Sequence, residues 1–113
     1  MLETMLEDQK HIQELLGEPM GNTTPERIKE NILALVVEAT EVLNEIPWKP
    51  WKEYDDDPVS MHHLKMEVID CQIFLLNIIN EVGMSADEVN RLVKDKQDIN
   101  IKRYVKHEDD HDA

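Results

Sequence analysis

The chain has 113 residues, 33% of them charged, and a formal net charge of -13. That length suits one domain with a modest core. Its 41% hydrophobic content is that of a globular chain rather than a disordered one. The acidity excludes a duplex DNA or RNA binder, because phosphates need a basic surface.

Four helices are legible. The first is expected over about residues 3–16, with Met5, Leu6, Ile12, Leu15 and Leu16 as apolar positions. Gly17, Pro19 and Gly21 end it. The second opens on a start signal: Thr24 caps, the fixed φ of Pro25 suits the first helical position, and Glu26 follows. Ile28, Ile32, Leu35, Val36, Ala39, Leu43 and Ile46 recur along it at helical spacing. Pro47 stops the run. Residues 47–60 read as a loop, with Pro47, Pro50 and Pro58 and the acidic run Asp55-Asp56-Asp57. Ser60 caps a third helix that continues to about Val82 and ends at Gly83. It is apolar on most sides (Leu64, Val68, Ile69, Phe74, Leu75, Ile78, Ile79), so it must be central or covered by a second copy. Ser85-Ala86-Asp87-Glu88 reads as a capping box for a fourth helix reaching about Tyr104. Residues 107–113 read as an acidic mobile tail. The expected fold class is all-α: an antiparallel bundle of about four helices over residues 1–106, assembled as a homodimer or homotetramer.

Several functions drop out. The apolar stretch 68–82 is interrupted by Asp70, Gln72, Asn77, Asn80 and Glu81, so it is too short and polar to span a bilayer. Cys71 is the only cysteine, so no disulfide can form within one chain and a reducing compartment is expected. The first residues lack a basic region followed by an apolar stretch, so no signal peptide is expected and the location reads as cytoplasmic. Three glycines, Gly17, Gly21 and Gly83, cannot build a phosphate-cradling loop. Phosphate chemistry here would rest on a metal ion and side chains. His62 and His63 are adjacent and point apart on a helix, while His107 and His111 fall in the tail. Solvent exposure is the plain reading of all four.

The carboxylates carry the chemistry. Glu38 and Glu41 are three apart on the second helix, as are Glu67 and Asp70 on the third. That spacing puts both members of a pair on one helical face, and a hairpin through the 47–60 loop can join the pairs. Four converging carboxylates repel unless a cation sits among them. All-oxygen ligands suit Mg²⁺ or Mn²⁺, and an ion reverses the local field for a single nucleotide. The same spacing is also that of a solvated acidic face, and Glu45 reads as a bystander. Trp48, Trp51 and Tyr54 cluster in the loop with Lys49 and Lys52. Rings can stack on a base and ammonium groups can meet phosphates, although one Trp is expected to plug the hairpin end. Lys96, Asn100 and Arg103 share a face of the fourth helix, as either phosphate contacts or an exposed ion-pairing face. Gln9 and Gln13 could read a base edge, but an exposed polar face is the plainer reading.

Glu38-x-x-Glu41 followed by Glu67-x-x-Asp70 resembles the all-α nucleoside triphosphate pyrophosphohydrolases, which include MazG-like proteins, dimeric dUTPases and dCTP pyrophosphatases. The likeness covers about residues 25–105. Residues 46–52, Ile-Pro-Trp-Lys-Pro-Trp-Lys, look like the Trp- and Lys-bearing segment of dimeric dUTPases. Lys96-x-x-x-Asn100-x-x-Arg103 is similar to their substrate-contacting helix. The resemblance implies Mg²⁺-dependent cleavage between the α- and β-phosphates, with Glu41 as general base. It implies a deoxypyrimidine triphosphate substrate, dUTP first and dCTP second. A broader MazG-like activity on several triphosphates is the alternative within the class. A non-catalytic acidic helical interaction protein is the alternative outside it.

Overall fold

The computed structural model describes residues 1–18 and 24–112, and side chains as far as residue 106. Four helices make it up: α1 (Leu2–Leu15), α2 (Pro25–Asn44), α3 (Met61–Glu81) and α4 (Ala86–Asp112). No strand occurs among the described residues. The chain divides into two compact units, Met1–Gly83 and Met84–Ala113.

Local chemistry sets the helix ends. Thr24 Oγ1 accepts from the Arg27 N–H (3.3 Å), Ser60 Oγ from His63 (3.3 Å) and Ser85 Oγ from Glu88 (3.1 Å). Each hydroxyl satisfies a backbone donor that the first helical turn leaves without a partner. Gly17 and Gly83 terminate α1 and α3 with φ of 77° and 78°, a conformation that a Cβ disfavours. Gly17 N–H donates to the Glu14 carbonyl (3.0 Å) and Glu18 N–H to that of Gln13 (2.8 Å), which closes the last carbonyls of α1. Pro19 and Gly21, also expected as stops, lie outside the described residues. α2 ends before Pro47, with Glu45 as its C-cap, because a residue preceding proline is driven out of the helical region. α4 passes the expected end at Tyr104 and runs to Asp112. No glycine or proline follows Gly83 to interrupt it. The side chains of His107 and His111 lie outside the described residues, whereas His62 and His63 are exposed as expected.

In the first unit α3 packs on both α1 and α2. Its seam with α1 carries the core: Leu6, Leu76 and Ile79 are buried, and Asn80 Nδ2 donates to the Leu6 carbonyl at 3.0 Å. Gln9 is buried too, against the expectation of an exposed polar face. It follows Leu6 by three residues and so shares its inward side. The α2–α3 pair is antiparallel and pinned by charge. Arg27 Nε lies 3.1 Å from Glu81 Oε1, and Glu81 is wholly buried. Arg27 Nη2 also donates to the Glu18 carbonyl at 2.9 Å, tying in the chain that leaves α1. Glu38 follows Arg27 by eleven positions, and Glu81 follows Asp70 by eleven. Eleven residues are close to three turns. The face of α2 that meets Glu81 therefore meets Asp70 farther along.

Much apolar surface stays open. α2 has no fully buried residue. Ile32, Leu33, Val36 and Val37 on α2 and Val68 and Ile69 on α3 are exposed. The covering requirement expected of the third helix thus extends to α2, beyond the scattered apolar exposure of ordinary surfaces.

Arg27→Met removes the guanidinium from a buried carboxylate and should destabilise the fold by about 3–5 kcal/mol in urea denaturation. Adding Glu81→Leu should restore most of that loss. A double variant no better than Arg27→Met would remove the pair from its role as pin.

Candidate active site

The α2–α3 register brings Glu38, Glu67 and Asp70 together, one carboxylate oxygen of each lying within 4.8 Å of the others. Glu38 and Glu67 are half-buried and Asp70 is exposed. Glu41, the fourth expected member, is exposed and stands outside this trio. Its charge still reaches the cluster. The Glu67 carboxyl is held above its ordinary range by burial, then by the charges of Glu41, Asp70, Glu38 and Glu45. Three anions on a half-buried surface have unrelieved repulsion, and a divalent cation is the natural remedy.

Glu45, expected as a bystander, belongs to the same surroundings. It is half-buried and adds to the field on Glu67. The signal was present: Glu45 follows Glu38 by seven residues, two helical turns along the same face. Cys71 also lies close, its thiol pushed up by burial and then by Glu38, Asp70 and Glu67. A protonated thiol is a poor ligand, so the donor set is oxygen alone, which fits a hard cation.

The loop beyond α2 places its aromatic residues at the hairpin end. Trp48 Nε1 donates to Asn44 Oδ1 at 3.2 Å, and Trp51 stands edge-on to Trp48 with centroids 5.7 Å apart. Trp48 is 38% exposed and Trp51 73%. Trp48 is therefore the anchored ring and Trp51 the open one. Lys49 Nζ lies 5.8 Å from the Trp48 ring and Lys52 Nζ 5.3 Å from that of Tyr54. Tyr54 also fixes the loop by accepting from the Lys49 N–H at 3.2 Å. A cleft of about 230 Å³ runs between the end of α2 and the segment leading to Ser60, with Glu45, Tyr54, Asp55 and Asp57 in its walls.

In the second unit Lys96, Asn100 and Arg103 are exposed on α4. Their spacing of four and three continues that of Val89 and Leu92, so they prolong the apolar side of the helix. The ion pair on α4 joins Lys94 to Asp98 at 2.8 Å, and this contact holds the Lys94 ammonium above its ordinary range. Lys96 and Arg103 have no such partner among the described residues.

Compared with known families, residues 1–109 match the profile of the dUTPase family. The chain belongs to that family. It is accordingly a hydrolase of the nucleotide diphosphatase type, within the all-α, MazG-like group that the double carboxylate motif indicated. Curated proteins and solved structures give no match. No single helix among the described residues is long and apolar enough to cross a membrane.

The raised Glu67 carboxyl has a sign that can be tested. A carboxyl whose pKa lies higher in the folded chain than in the unfolded one favours folding when protonated. That contribution is lost as pH rises from the ordinary carboxylate range through the raised value. Glu67→Gln should therefore melt higher than the wild type at pH 7 without divalent ions, and the difference should shrink as pH falls toward 4. Thermal melts across pH check this; a Glu67→Gln melting point at or below the wild type at pH 7 would contradict it.

Proposed function

We propose that this dUTPase-family chain is a Mg²⁺-dependent dUTP diphosphatase, converting dUTP and water to dUMP and pyrophosphate. The convergence of Glu38, Glu67 and Asp70 on one point carries the reading. These three hold the ion, with Mn²⁺ as the alternative. When bound, it clamps phosphate oxygens and offsets the charge developing on them. Glu41 stands outside the trio with its carboxylate free to orient the attacking water and accept its proton. The water oxygen bonds to the α-phosphorus as the bond to the bridging oxygen breaks, and pyrophosphate leaves.

The remaining site residues bind and orient. Trp51, the open ring, offers an apolar face to the substrate beside the lysines of its loop, and Trp48 holds it in place. Lys49 and Lys52 supply point charges toward the phosphate tail. Lys96, Asn100 and Arg103 serve as phosphate contacts, with the Arg103 fork suited to two parallel hydrogen bonds. Their place on the apolar side of α4, away from the Lys94–Asp98 pair, supports this role over a solvated ion-pairing face. The open apolar residues of α2 and α3 support assembly as a homodimer or homotetramer.

Incubation with Mg²⁺ and each deoxynucleoside triphosphate separately tests the activity. We expect monophosphate and pyrophosphate from dUTP foremost. Preferred turnover of dCTP, or equal turnover of purines and pyrimidines, would replace the substrate assignment. No release from any triphosphate would remove the activity. Glu38→Gln and Asp70→Asn should each lower kcat/KM by about 10²–10³-fold, the usual loss when one group stabilising transition-state charge is removed. In sedimentation velocity at micromolar concentration the chain should run as a dimer or larger; a monomer alone would refute the assembly.

A further inference from the structure

We propose that Asn77 reads the base of the substrate, pairing its side-chain amide with the edge of a pyrimidine that presents a ring N–H beside a carbonyl. This rests on the nucleotide reading above and adds a residue to it. Asn77 is 2% exposed, and its Oδ1 has no hydrogen-bond partner among the described residues. A buried acceptor without a donor destabilises a fold, and native chains rarely keep one without a use. Two other amides are tied to the backbone through Nδ2: Asn80 to the Leu6 carbonyl and Asn31 to that of Arg27.

Its position indicates the use. Asn77 follows Asp70 by seven residues, two turns and about 10 Å along the same face of α3. Half-buried Phe74 stands between them. A nucleotide whose phosphates lie at the carboxylates and whose sugar lies beside Phe74 brings its base to Asn77. α3 turns Glu81 toward Arg27 of α2 and Asn80 toward Leu6 of α1, and Asn77 lies between these two directions. The base therefore enters at the seam where the three helices meet, and the side chains closing that seam must part for it. An amide offers both an acceptor and donors. Oδ1 accepts the N3–H of uracil and Nδ2 donates to the adjacent carbonyl, which gives the orphan oxygen its donor.

The test compares dUTP with 2-deoxyribose 5-triphosphate, which has the same phosphates and sugar but no base. For wild type, Asn77→Leu and Asn77→Ala, kcat/KM is measured on both substrates with Mg²⁺, alongside melting temperature. We expect the preference for dUTP over the base-less substrate to fall at least tenfold in both variants. Asn77→Leu should also melt at or above the wild type, because it removes the orphan acceptor and keeps the branched shape and number of heavy atoms. An unchanged preference in both variants overturns the assignment. So does a parallel loss on both substrates with a falling melting temperature, or failure of both variants to fold, since either makes Asn77 structural. A wild type that cleaves no triphosphate overturns the proposed activity itself, and that result is visible without any variant.

Discussion

The ion pair between Arg27 and Glu81 sets the register of the hairpin on which the candidate site is built. Glu81 is wholly buried, and the Arg27 guanidinium 3.1 Å away offsets its charge. Apolar contacts between helices permit sliding by a turn at modest loss. A buried charge pair does not. With Arg27 held opposite Glu81, equal spacing along both helices carries Glu38 to Asp70. The same guanidinium bonds the Glu18 carbonyl, so the exit of α1 is referred to the same point. Geometry at one end of the hairpin is thus fixed by an interaction at the other.

The helices were legible because their signals are local. Thr24, Ser60 and Ser85 cap through their own hydroxyls, and Gly17 and Gly83 stop helices through their own backbone freedom. The carboxylate pairs were legible for the same reason, since three-residue spacing decides a helical face. The convergence of only three of the four was not, because it depends on how α2 is rotated against α3. The burial of Gln9 and the inward turn of Glu45 are also tertiary: each follows from which side of a helix meets its neighbour. The Arg27–Glu81 pair joins residues 54 positions apart, and nothing local to either residue announces it. The far end of α4, which runs past Tyr104 to Asp112, was not legible for a different reason. Acidic composition suggested a tail, but composition alone does not break a helix.

The first unit sets a tension between stability and chemistry. Glu67 is repelled by four neighbouring carboxylates, Asn77 leaves an acceptor without a donor, and most large apolar residues of α2 remain open. The buried core is small by comparison: Leu6, Leu76 and Ile79. A divalent ion, a nucleotide and a second copy would each relieve one of these burdens, and whatever binds only the folded state stabilises it. On the proposed reading, ligand binding would thus contribute to holding the chain folded.

The equal spacing from Arg27 to Glu38 and from Asp70 to Glu81 bears on how such a chain can change over time. Inserting one residue into either segment would rotate everything beyond it by about 100° and carry a carboxylate off the shared face. Compensation would need a matching insertion in the opposite helix. The connection over 45–60 is under no such restraint, because its length does not enter the phase between the two helices. Variation in chain length among descendants of this sequence should therefore gather in that connection, while the two helical stretches keep their count.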